Sequence, residues 1–365
     1  MARKSRAREV RVYLGTRKGG FVLRSDEKRK NWRVEGPFFP GVETNHLMRD
    51  PRTGKLWAVV NSWWFGSDVQ FSTDNGKRWT KAAAGISFPP DRKLSVARIW
   101  RVEADRESRP ETLWCGVDPG ALFRTDDAGK NWYELTGLAQ HPTREKWTPG
   151  AAGMMVHAIS PDPGRLDRIY VGISAAGCFR SDDDGKTWTP CNKGVRADFL
   201  PNKLPDVGQC LHRMVMSPKN PDWLFQQNHC GVYRSRNDAE KWTDVSKGLP
   251  SRFGFAMAAH PHEAETIYVT PHISAEQRYV CGGKLGVYRS RNGGSSWQEL
   301  KKGLPTRNCY VVVLRHGMAT DGCDAAGVYV GTAGGTLFAS RNEGNSWEVA
   351  ADHLPPILSV ETAVV

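Results

Sequence analysis

The sequence predicts an all-β fold, on the evidence of one recurring turn and its regular spacing. The turn reads Ser/Thr-x-Asp/Asn-x-Gly-x-x-Trp, and its fullest form is Ser181–Trp188. Seven copies, some eroded, end 47 to 56 residues apart, at Trp32, Trp79, Trp132, Trp188, Trp242, Trp297 and Trp347. A period of roughly 40–50 residues with several short strands per unit is typical of propeller blades. The whole chain, residues 1–365, is therefore predicted to be a single seven-bladed β-propeller of four-stranded antiparallel blades.

The residue types of this turn suit a tight hairpin. The short Asp or Asn side chain accepts hydrogen bonds from backbone N–H groups just ahead of it. Glycine adopts a positive φ without steric cost, and tryptophan is large enough to cover the turn. Two copies lack the glycine and carry Arg29 and Ala239 in its place.

The first repeat has only three strands of its own, because residues 9–15, residues 20–25 and the segment after Trp32 precede the second repeat. The last repeat is followed by an additional apolar segment, Ile357–Val365. We expect this segment to pair with residues 9–15 as the innermost strand of blade 1. Such pairing closes the ring and removes exposed sheet edges.

The other six repeats follow the order innermost strand, second strand, third strand, turn and outer strand. Alternating apolar residues predict innermost strands at 44–49, 97–103, 154–159, 211–216, 254–259 and 309–314. In such blades the outer-to-innermost and second-to-third connections emerge on one face. That face receives the long connections, 61–67, 83–96, 136–153, 191–209 and 271–285. Long loops on one end of a rigid scaffold predict a binding site there, and tolerated insertion is the alternative interpretation.

The repeated turn resembles the Asp-box, or BNR, repeat of sialidases, sortilin-type receptors, xyloglucanases and a photosystem assembly factor. Residues 12–20 and 169–174 are most similar to bacterial single-propeller proteins described as BNR-repeat glycosyl hydrolases, exo-α-sialidase-like or YVTN-like. The resemblance implies a glycosyl-hydrolase-like protein. It argues against true sialidase activity, because sialidases have six blades and an Arg-Ile-Pro signature that this sequence lacks.

Several polar residues occupy early positions of the innermost strands, which border the central channel. His46, His157 and His212 predict a divalent metal site, since neutral imidazole is a common ligand. The alternative is a polar channel whose side chains bond to one another. The candidate catalytic residues are Glu361, His157, His212 and Asp206.

Arginine and aromatic residues are the candidate ligand-binding groups. Arginine side chains pair with carboxylates, and aromatic rings stack on sugars or other planar groups. The candidates are Arg98, Arg101, Trp64, Trp100, Trp147 and Tyr310. The alternative is that the aromatic residues pack the loops onto the propeller. A sialidase-type reading would add Glu43, Arg213 and Arg315.

The net charge of +12 favours an acidic ligand, although a solvated basic surface is the alternative. No long basic run lies beyond the N-terminus, so a nucleic-acid partner is not expected. No secretory signal or long apolar run is found, and we expect a cytoplasmic protein with no membrane contact. The eight cysteines lack paired short spacing and are interpreted as free thiols.

The sequence leaves two classes of function open. The leading hypothesis is a protein that binds a small polar or anionic ligand, such as a glycan, at the loop-rich mouth of the channel, with metal-assisted hydrolysis as a further step. The alternative is a non-catalytic scaffold whose loop-rich face binds a protein partner. A divalent metal in the central channel is the one cofactor that the sequence suggests, and it leaves the cofactor otherwise open.

Overall fold

The computed structural model describes residues 8–82, 85–150 and 153–365. The chain folds as a seven-bladed β-propeller of four-stranded antiparallel sheets, which confirms the predicted fold class. Each innermost strand contacts the innermost strands of both neighbouring blades, so that the sheets form a closed ring.

The strands are short and follow one another along the chain. The first seven are β1 (Glu9–Thr16), β2 (Gly19–Asp26), β3 (Arg33–Phe38), β4 (Glu43–Arg49), β5 (Leu56–Ser62), β6 (Gly66–Ser72) and β7 (Thr80–Lys81). The next eight are β8 (Arg98–Ala104), β9 (Leu113–Asp118), β10 (Ala121–Thr125), β11 (Tyr133–Glu134), β12 (Val156–Pro161), β13 (Ile169–Ile173), β14 (Gly177–Ser181) and β15 (Thr189–Pro190).

The second half of the chain continues the same order. Its strands are β16 (Leu211–Ser217), β17 (Asn220–Asn228), β18 (Gly231–Ser235), β19 (Thr243–Asp244), β20 (Gly254–Ala259), β21 (Ile267–Pro271), β22 (Val287–Ser290), β23 (Gln298–Leu300), β24 (Met318–Thr320), β25 (Val328–Gly331), β26 (Leu337–Ser340), β27 (Glu348–Ala351) and β28 (Ile357–Val364). Helical structure in the described residues is limited to α1 (Thr136–Ala139) and to 3-10 turns at Pro90–Arg92, Arg144–Lys146 and Cys281–Gly283.

The C-terminal strand closes the ring as predicted. β28 pairs antiparallel with β1 and stands at the inner end of the sheet β28-β1-β2-β3. The backbones of Glu9 and Val365 exchange two hydrogen bonds, at 2.8 and 2.9 Å. Arg29, which replaces the turn glycine in blade 1, forms a buried ion pair with Asp321 of blade 7 at 3.1 Å. The turn that lacks its glycine thus joins blade 1 to blade 7 through the side chain of Arg29.

The repeated turns have the hydrogen bonds that their residue types predict. In Ser181–Trp188, the backbone N–H of Thr187 donates to Asp183 Oδ1 at 2.8 Å, and the N–H of Gly185 donates to Ser181 Oγ at 2.8 Å. Gly185 has a φ of +86°. In blade 5 the corresponding position is Ala239, whose φ of +62° lies in the left-handed region. The eroded copy therefore keeps the turn conformation without the residue that favours it.

The innermost strands carry β-bulges near their first residues. The register shifts between Thr44 and His46 in β4 and between Ile99 and Arg101 in β8, and the shifts in β12 and β16 bracket His157 and His212. A bulge re-aims the side chain of the extra residue. The extra residues are Asn45, Trp100, His157 and His212, one in each of blades 2 to 5.

The predicted innermost strand at 309–314 is wrong, because the innermost strand of blade 7 is β24, Met318–Thr320. Residues 309–314 run instead across the loop-rich face. Their backbone bonds to the second-to-third connection of blade 6, from Cys309 N–H to Gly283 O at 2.9 Å and from Val280 N–H to Val311 O at 3.1 Å. The apolar run was misread as a strand because Cys309 and Val313 are buried in the same core as Val280.

The core lies between neighbouring blades, where tryptophan and tyrosine residues of the second strands are fully buried. Examples are Trp57, Trp114 and Tyr170, each at most 1% exposed. All eight cysteines are free thiols. No helix in the described part of the chain is long and apolar enough to cross a membrane.

Candidate functional site

Glu361 of β28 lies in the channel between two basic residues of other blades. Its Oε1 lies 2.8 Å from Arg101 Nη1 and 3.2 Å from His46 Nε2. Burial alone would raise the pKa of Glu361, but Arg101 and His46 outweigh burial and lower that pKa below its usual range. Glu361 is therefore an ionised carboxylate held by two partners.

His316 is the second centre of the channel. Its Nδ1 lies 3.1 Å from Arg101 Nη1 and 2.7 Å from Arg213 Nη1. Both guanidinium groups can only donate, so Nδ1 accepts and the imidazole proton is on Nε2. Burial and the two arginines lower the pKa of His316 well below its usual value. We call His46, Arg101, Arg213, His316 and Glu361 the central cluster.

The three histidines predicted to share a metal are not brought together. His157 Nε2 donates to the carbonyl oxygen of Leu211 at 3.0 Å, and His212 Nδ1 donates to that of Gly254 at 2.6 Å. Each imidazole thus binds the backbone of the next blade, while His46 binds Glu361. Among the described residues, the two groups of three whose ligand atoms lie within 4.8 Å of one another contain neither His46 nor His157.

The central cluster borders a cavity of about 500 Å³ between the far ends of the innermost strands. Arg101, Glu103, Arg213 and Glu361 line the cavity, together with the connection that contains Asp105. These connections leave the propeller on the face that carries the Asp-box turns. Arg101 and Glu361 therefore face away from the loop-rich mouth where a ligand was expected.

A second cavity, of about 240 Å³, lies on the loop-rich face over blades 4 to 6. Its walls include Phe199, His212, His229, Phe253 and Phe255, and we call it the aromatic pocket. The rings are in mutual contact, with centroids 5.1 Å apart for Phe199 and His229 and 4.7 Å apart for His212 and Phe255. The Arg315 guanidinium lies 5.2 Å from the centre of the Phe255 ring.

A third cavity, of about 730 Å³, lies on the same face over blades 1 to 3. We call it the tryptophan groove, and its lining residues include Glu43, Trp63, Trp64, Arg98 and Asp118. Trp63 and Trp64 are 94% and 85% exposed, at the tip of the β5–β6 hairpin. A groove of this kind offers flat apolar faces beside charged groups.

The groove brings two carboxyl groups to one arginine. Arg98 Nη2 donates to Glu43 Oε1, and Arg17 Nη1 lies 3.3 Å from Glu43 Oε2. Asp118 is paired with Arg98 across the β8–β9 ladder. Burial raises the pKa of Asp118, while a backbone hydrogen bond from Met154 and the charges of Arg98 and Arg144 lower it less strongly. The carboxyl group of Asp118 therefore holds a proton more readily than that of an ordinary aspartate, as a general acid requires.

The remaining predicted residues lie apart from these sites or serve packing. Trp147 is only 5% exposed, and its Nε1 donates to Thr143 Oγ1 at 3.0 Å. Trp100 stacks under Arg98, with 5.2 Å between the guanidinium and the ring centre. Asp206 lines a separate cavity beside Asn192. Tyr310 is 67% exposed and contacts Tyr279.

Sequence reasoning missed several residues that complete these sites. His316 was not among the predicted residues, because the innermost strand of blade 7 was predicted at 309–314 and lies at Met318–Thr320. Cys210 and His229 were not singled out, although Cys210 directly precedes β16 and His229 directly follows β17, the hairpin partner of β16. Because the start of β16 pairs with the end of β17, both residues lie at one end of the blade.

No family model matches the chain. It is 24% identical over 270 residues to a probable oligoxyloglucan-reducing end-specific xyloglucanase of Neosartorya fischeri, covering 64% of this chain and 32% of that protein. It is 25% identical over 183 residues to the photosystem II assembly protein Ycf48 of Thermosynechococcus vestitus, covering 49% of this chain and 41% of that protein. The chain thus matches less than half the length of either curated relative.

Similar solved structures include members of the same two groups of propellers. The Niastella koreensis GH74 enzyme superposes with a TM-score of 0.56 at 16% identity, over 95% of this chain and 65% of that one. Ycf48 bound to a D1 peptide superposes with a TM-score of 0.51 at 16% identity, over 84% of this chain and 81% of that one. The class of the protein is therefore a seven-bladed β-propeller. Among curated proteins it is similar to xyloglucanases and to Ycf48.

Proposed function

We propose that the protein is a glycosidase-like carbohydrate-binding protein that takes an oligosaccharide of the xyloglucan type in the tryptophan groove. The observation that carries this proposal is the tip formed by Trp63, Trp64 and Phe65, which are 94%, 85% and 88% exposed beside a 730 Å³ groove. Sugar rings have apolar faces that stack on such side chains. The xyloglucanase relatives support the choice of ligand.

The tip is held in place by hydrogen bonds that the side chains of Ser62 and Asn61 form with the backbone. Ser62 Oγ accepts the N–H of Phe65 at 3.1 Å and lies 3.3 Å from the N–H of Trp64. Gly66, with a φ of +78°, returns the chain into β6. Asn61 ties the base of the hairpin to blade 3, because its Nδ2 donates to Ile99 O at 3.0 Å. Because the hairpin backbone is already ordered, only the side-chain rotamers of the tip must be fixed when a ligand binds.

Hydrolysis in this groove would use its two carboxyl groups. A glycosidase needs one carboxylic acid to protonate the leaving oxygen and one carboxylate to act as base or nucleophile. Asp118, whose pKa is raised by burial, suits the acid. Glu43, which accepts hydrogen bonds from Arg17 and Arg98, suits the carboxylate. Arg98 would also hold sugar hydroxyl groups between the two.

The test of ligand binding is calorimetric titration of the full chain with xyloglucan oligosaccharides, with glucose as the negative ligand. We expect saturable binding that the double variant Trp63→Ala/Trp64→Ala weakens at least about tenfold, or about 1.4 kcal/mol. Tyr310→Ala is the matched control, because Tyr310 is exposed on another part of the same face. Equal affinity of the tryptophan variant and the control would exclude the groove.

The test of hydrolysis is release of reducing ends by the wild type, Asp118→Asn and Glu43→Gln. We expect each variant to lose at least about 100-fold in kcat while oligosaccharide affinity is retained. Binding without turnover in the wild type would make the groove a lectin-like site and remove the catalytic part of the proposal.

A peptide ligand is the second candidate for the same tip, since three consecutive exposed aromatic residues also suit a protein partner. The Ycf48 relative whose solved structure contains a D1 peptide supports this reading. Competition separates the two candidates. An unstructured aromatic-rich peptide that binds without being displaced by oligosaccharide would favour the scaffold.

A further inference from the structure

We propose that Cys210, His212 and His229 bind a transition-metal ion of the zinc class, with the fourth coordination position open to the aromatic pocket. One ligand atom from each of the three lies within 4.8 Å of the others. A thiolate with two imidazoles is a ligand set that zinc-class ions accept, and three protein ligands with an open position are typical of reactive sites. The site is separate from the tryptophan groove, and it stands independently of the proposed function.

All three side chains come from blade 5 and are fixed by its backbone. Cys210 directly precedes β16, His212 occupies the bulge of β16, and His229 begins the turn between β17 and β18. The backbone N–H of His229 donates to the carbonyl oxygen of Cys210 at 3.0 Å. This bond clamps two of the ligand positions together. The site is therefore preorganised by strand pairing, without a contribution from the long loops.

The tautomer of His212 suits metal binding. Its Nδ1–H donates to Gly254 O at 2.6 Å, which leaves the lone pair of Nε2 available. A ligating histidine commonly donates its other ring N–H to a carbonyl oxygen in this way, which fixes the ring orientation. His212 is only 1% exposed, and this hydrogen bond together with the surrounding side chains fixes the orientation of its ring.

The surroundings of the site favour an anionic fourth ligand. Arg278 and Arg315 line the aromatic pocket together with Cys210, His212 and His229. A divalent ion bound by one thiolate and two neutral histidines keeps one positive charge. With both arginines beside it, the open position would take a carboxylate or phosphate more readily than a neutral group.

The other close group of ligating side chains does not support a metal site. His260 Nδ1 accepts the backbone N–H groups of His262 and Glu263, each at 3.1 Å. Both carboxylates of that group already pair with Arg291, Glu263 at 2.6 Å and Glu343 through its Oε2. A cation there would have to displace an arginine. Within the described residues, Cys210, His212 and His229 themselves take part in no such ion pair.

Cobalt titration of the full chain after removal of metal with a chelator tests the proposal. We expect one Co²⁺ per chain, with a near-ultraviolet thiolate-to-cobalt absorption band, and displacement of Co²⁺ by Zn²⁺. Cys210→Ser should abolish the band. His229→Ala should weaken binding at least about 100-fold, since changes in outer-shell groups alone cost 10–100-fold. His229 is only half-buried, so this variant is expected to fold, and circular dichroism checks that it does.

Cys281→Ser is the matched control, because Cys281 is also half-buried and lies outside the site. Its titration should coincide with that of the wild type. A wild type that binds neither Co²⁺ nor Zn²⁺ overturns the proposal, and so does a charge-transfer band that persists in Cys210→Ser.

Discussion

The tryptophan groove and the aromatic pocket lie on the same face of the propeller and begin from equivalent strand ends, yet they differ in enclosure. The groove is open, and Trp63 and Trp64 project from a short hairpin into solvent. The pocket is smaller and is covered by side chains of long connections, among them Phe199 from residues 191–209 and Arg278 from residues 271–285.

The difference shows that loop length decides what a propeller face offers to a ligand. Residues 61–67 were expected to form a long connection, but β5 extends to Ser62 and β6 begins at Gly66, which leaves only residues 63–65 between them. Such a short hairpin on a rigid blade presents an exposed rim, which suits an extended ligand. Long connections fold back over the blade ends and enclose a small apolar volume, in which a metal or an anion is shielded from water. One fold thus places two chemically different sites side by side, and variants should separate them.

Removal of the closing strand should lower the stability of the protein more than any other change, because it disturbs both regions at once. Deletion of residues 357–365 removes Ile357 and Val360, which are 0% and 1% exposed. Losing two buried aliphatic side chains costs at least about 4 kcal/mol, and the open ring also exposes a strand edge. We expect loss of cooperative thermal unfolding, restored in part by a synthetic peptide of residues 357–365. An unchanged melting temperature would contradict ring closure by this strand.

The next largest change in stability should come from adding Zn²⁺ to variants of each of the two sites. At a Zn²⁺ concentration 100 times the Kd, the metal should stabilise the wild type by about 2.7 kcal/mol. Thermal scans should show this gain in Trp63→Ala/Trp64→Ala and not in His229→Ala. Oligosaccharide affinity should follow the opposite pattern. Loss of both ligands in either variant would mean that the groove and the pocket are one site.

Acidification should destabilise the channel beneath both regions, where the ring of His157 lies 5.8 Å from that of His316 in the central cluster. Burial, with Arg213, Arg101 and Arg315 nearby, lowers the pKa values of His157 and His316 well below 6.5 in the folded protein. The unfolded chain therefore takes up protons first. Below pH 6.5 the free energy of unfolding should fall by up to about 1.4 kcal/mol per pH unit for each such histidine. Burial lowers the pKa values of His46, His212 and His272 as well, so these residues add to the same fall.

Urea unfolding measured between pH 7.5 and 5 tests this sign. Glu361 adds a loss in the same direction only below about pH 4.5, because its pKa is lowered on folding. The window above pH 5 therefore reports mainly on histidines. A free energy of unfolding that stays constant or rises across this window would show that these histidines are protonated in the fold.

The smallest expected effect concerns the eroded turn of blade 5, the blade that carries the proposed metal ligands. Ala239→Gly should stabilise the protein by about 1 kcal/mol, because Ala239 has a φ of +62°. Gly185→Ala in the intact turn of blade 4 is the matched reverse change. It should destabilise, since the new Cβ would lie 2.8 Å from Leu135 Cδ1. Equal melting temperatures for both variants would contradict this account of the turns.

The repeat made most of the fold predictable. The turns from Ser181 and its counterparts fixed the number of blades, and the unpaired segment at residues 357–365 fixed the closure. The seventh innermost strand was misplaced, because an apolar run such as 309–314 looks the same in a strand and in a buried loop. Periodicity records which residues are buried and does not record what covers them.

The candidate sites were less predictable, for a geometric reason. His46, His157 and His212 all occupy early positions of innermost strands, but the bulges and the hydrogen bonds to neighbouring blades aim them at different places. Partners such as His316 and His229 come from irregular segments, whose side-chain directions do not follow from alternation. Exposure of Trp64 and burial of Trp147 likewise depend on how each loop folds back.

The most direct test of two separate sites on one closed ring is hydrogen–deuterium exchange of the full chain with oligosaccharide alone and with Zn²⁺ alone. We predict that oligosaccharide protects amides of residues 61–67 and 97–98, while Zn²⁺ protects residues 210–212 and 228–231. Protection of the same residues by both ligands, or of neither region by its own ligand, would contradict the account.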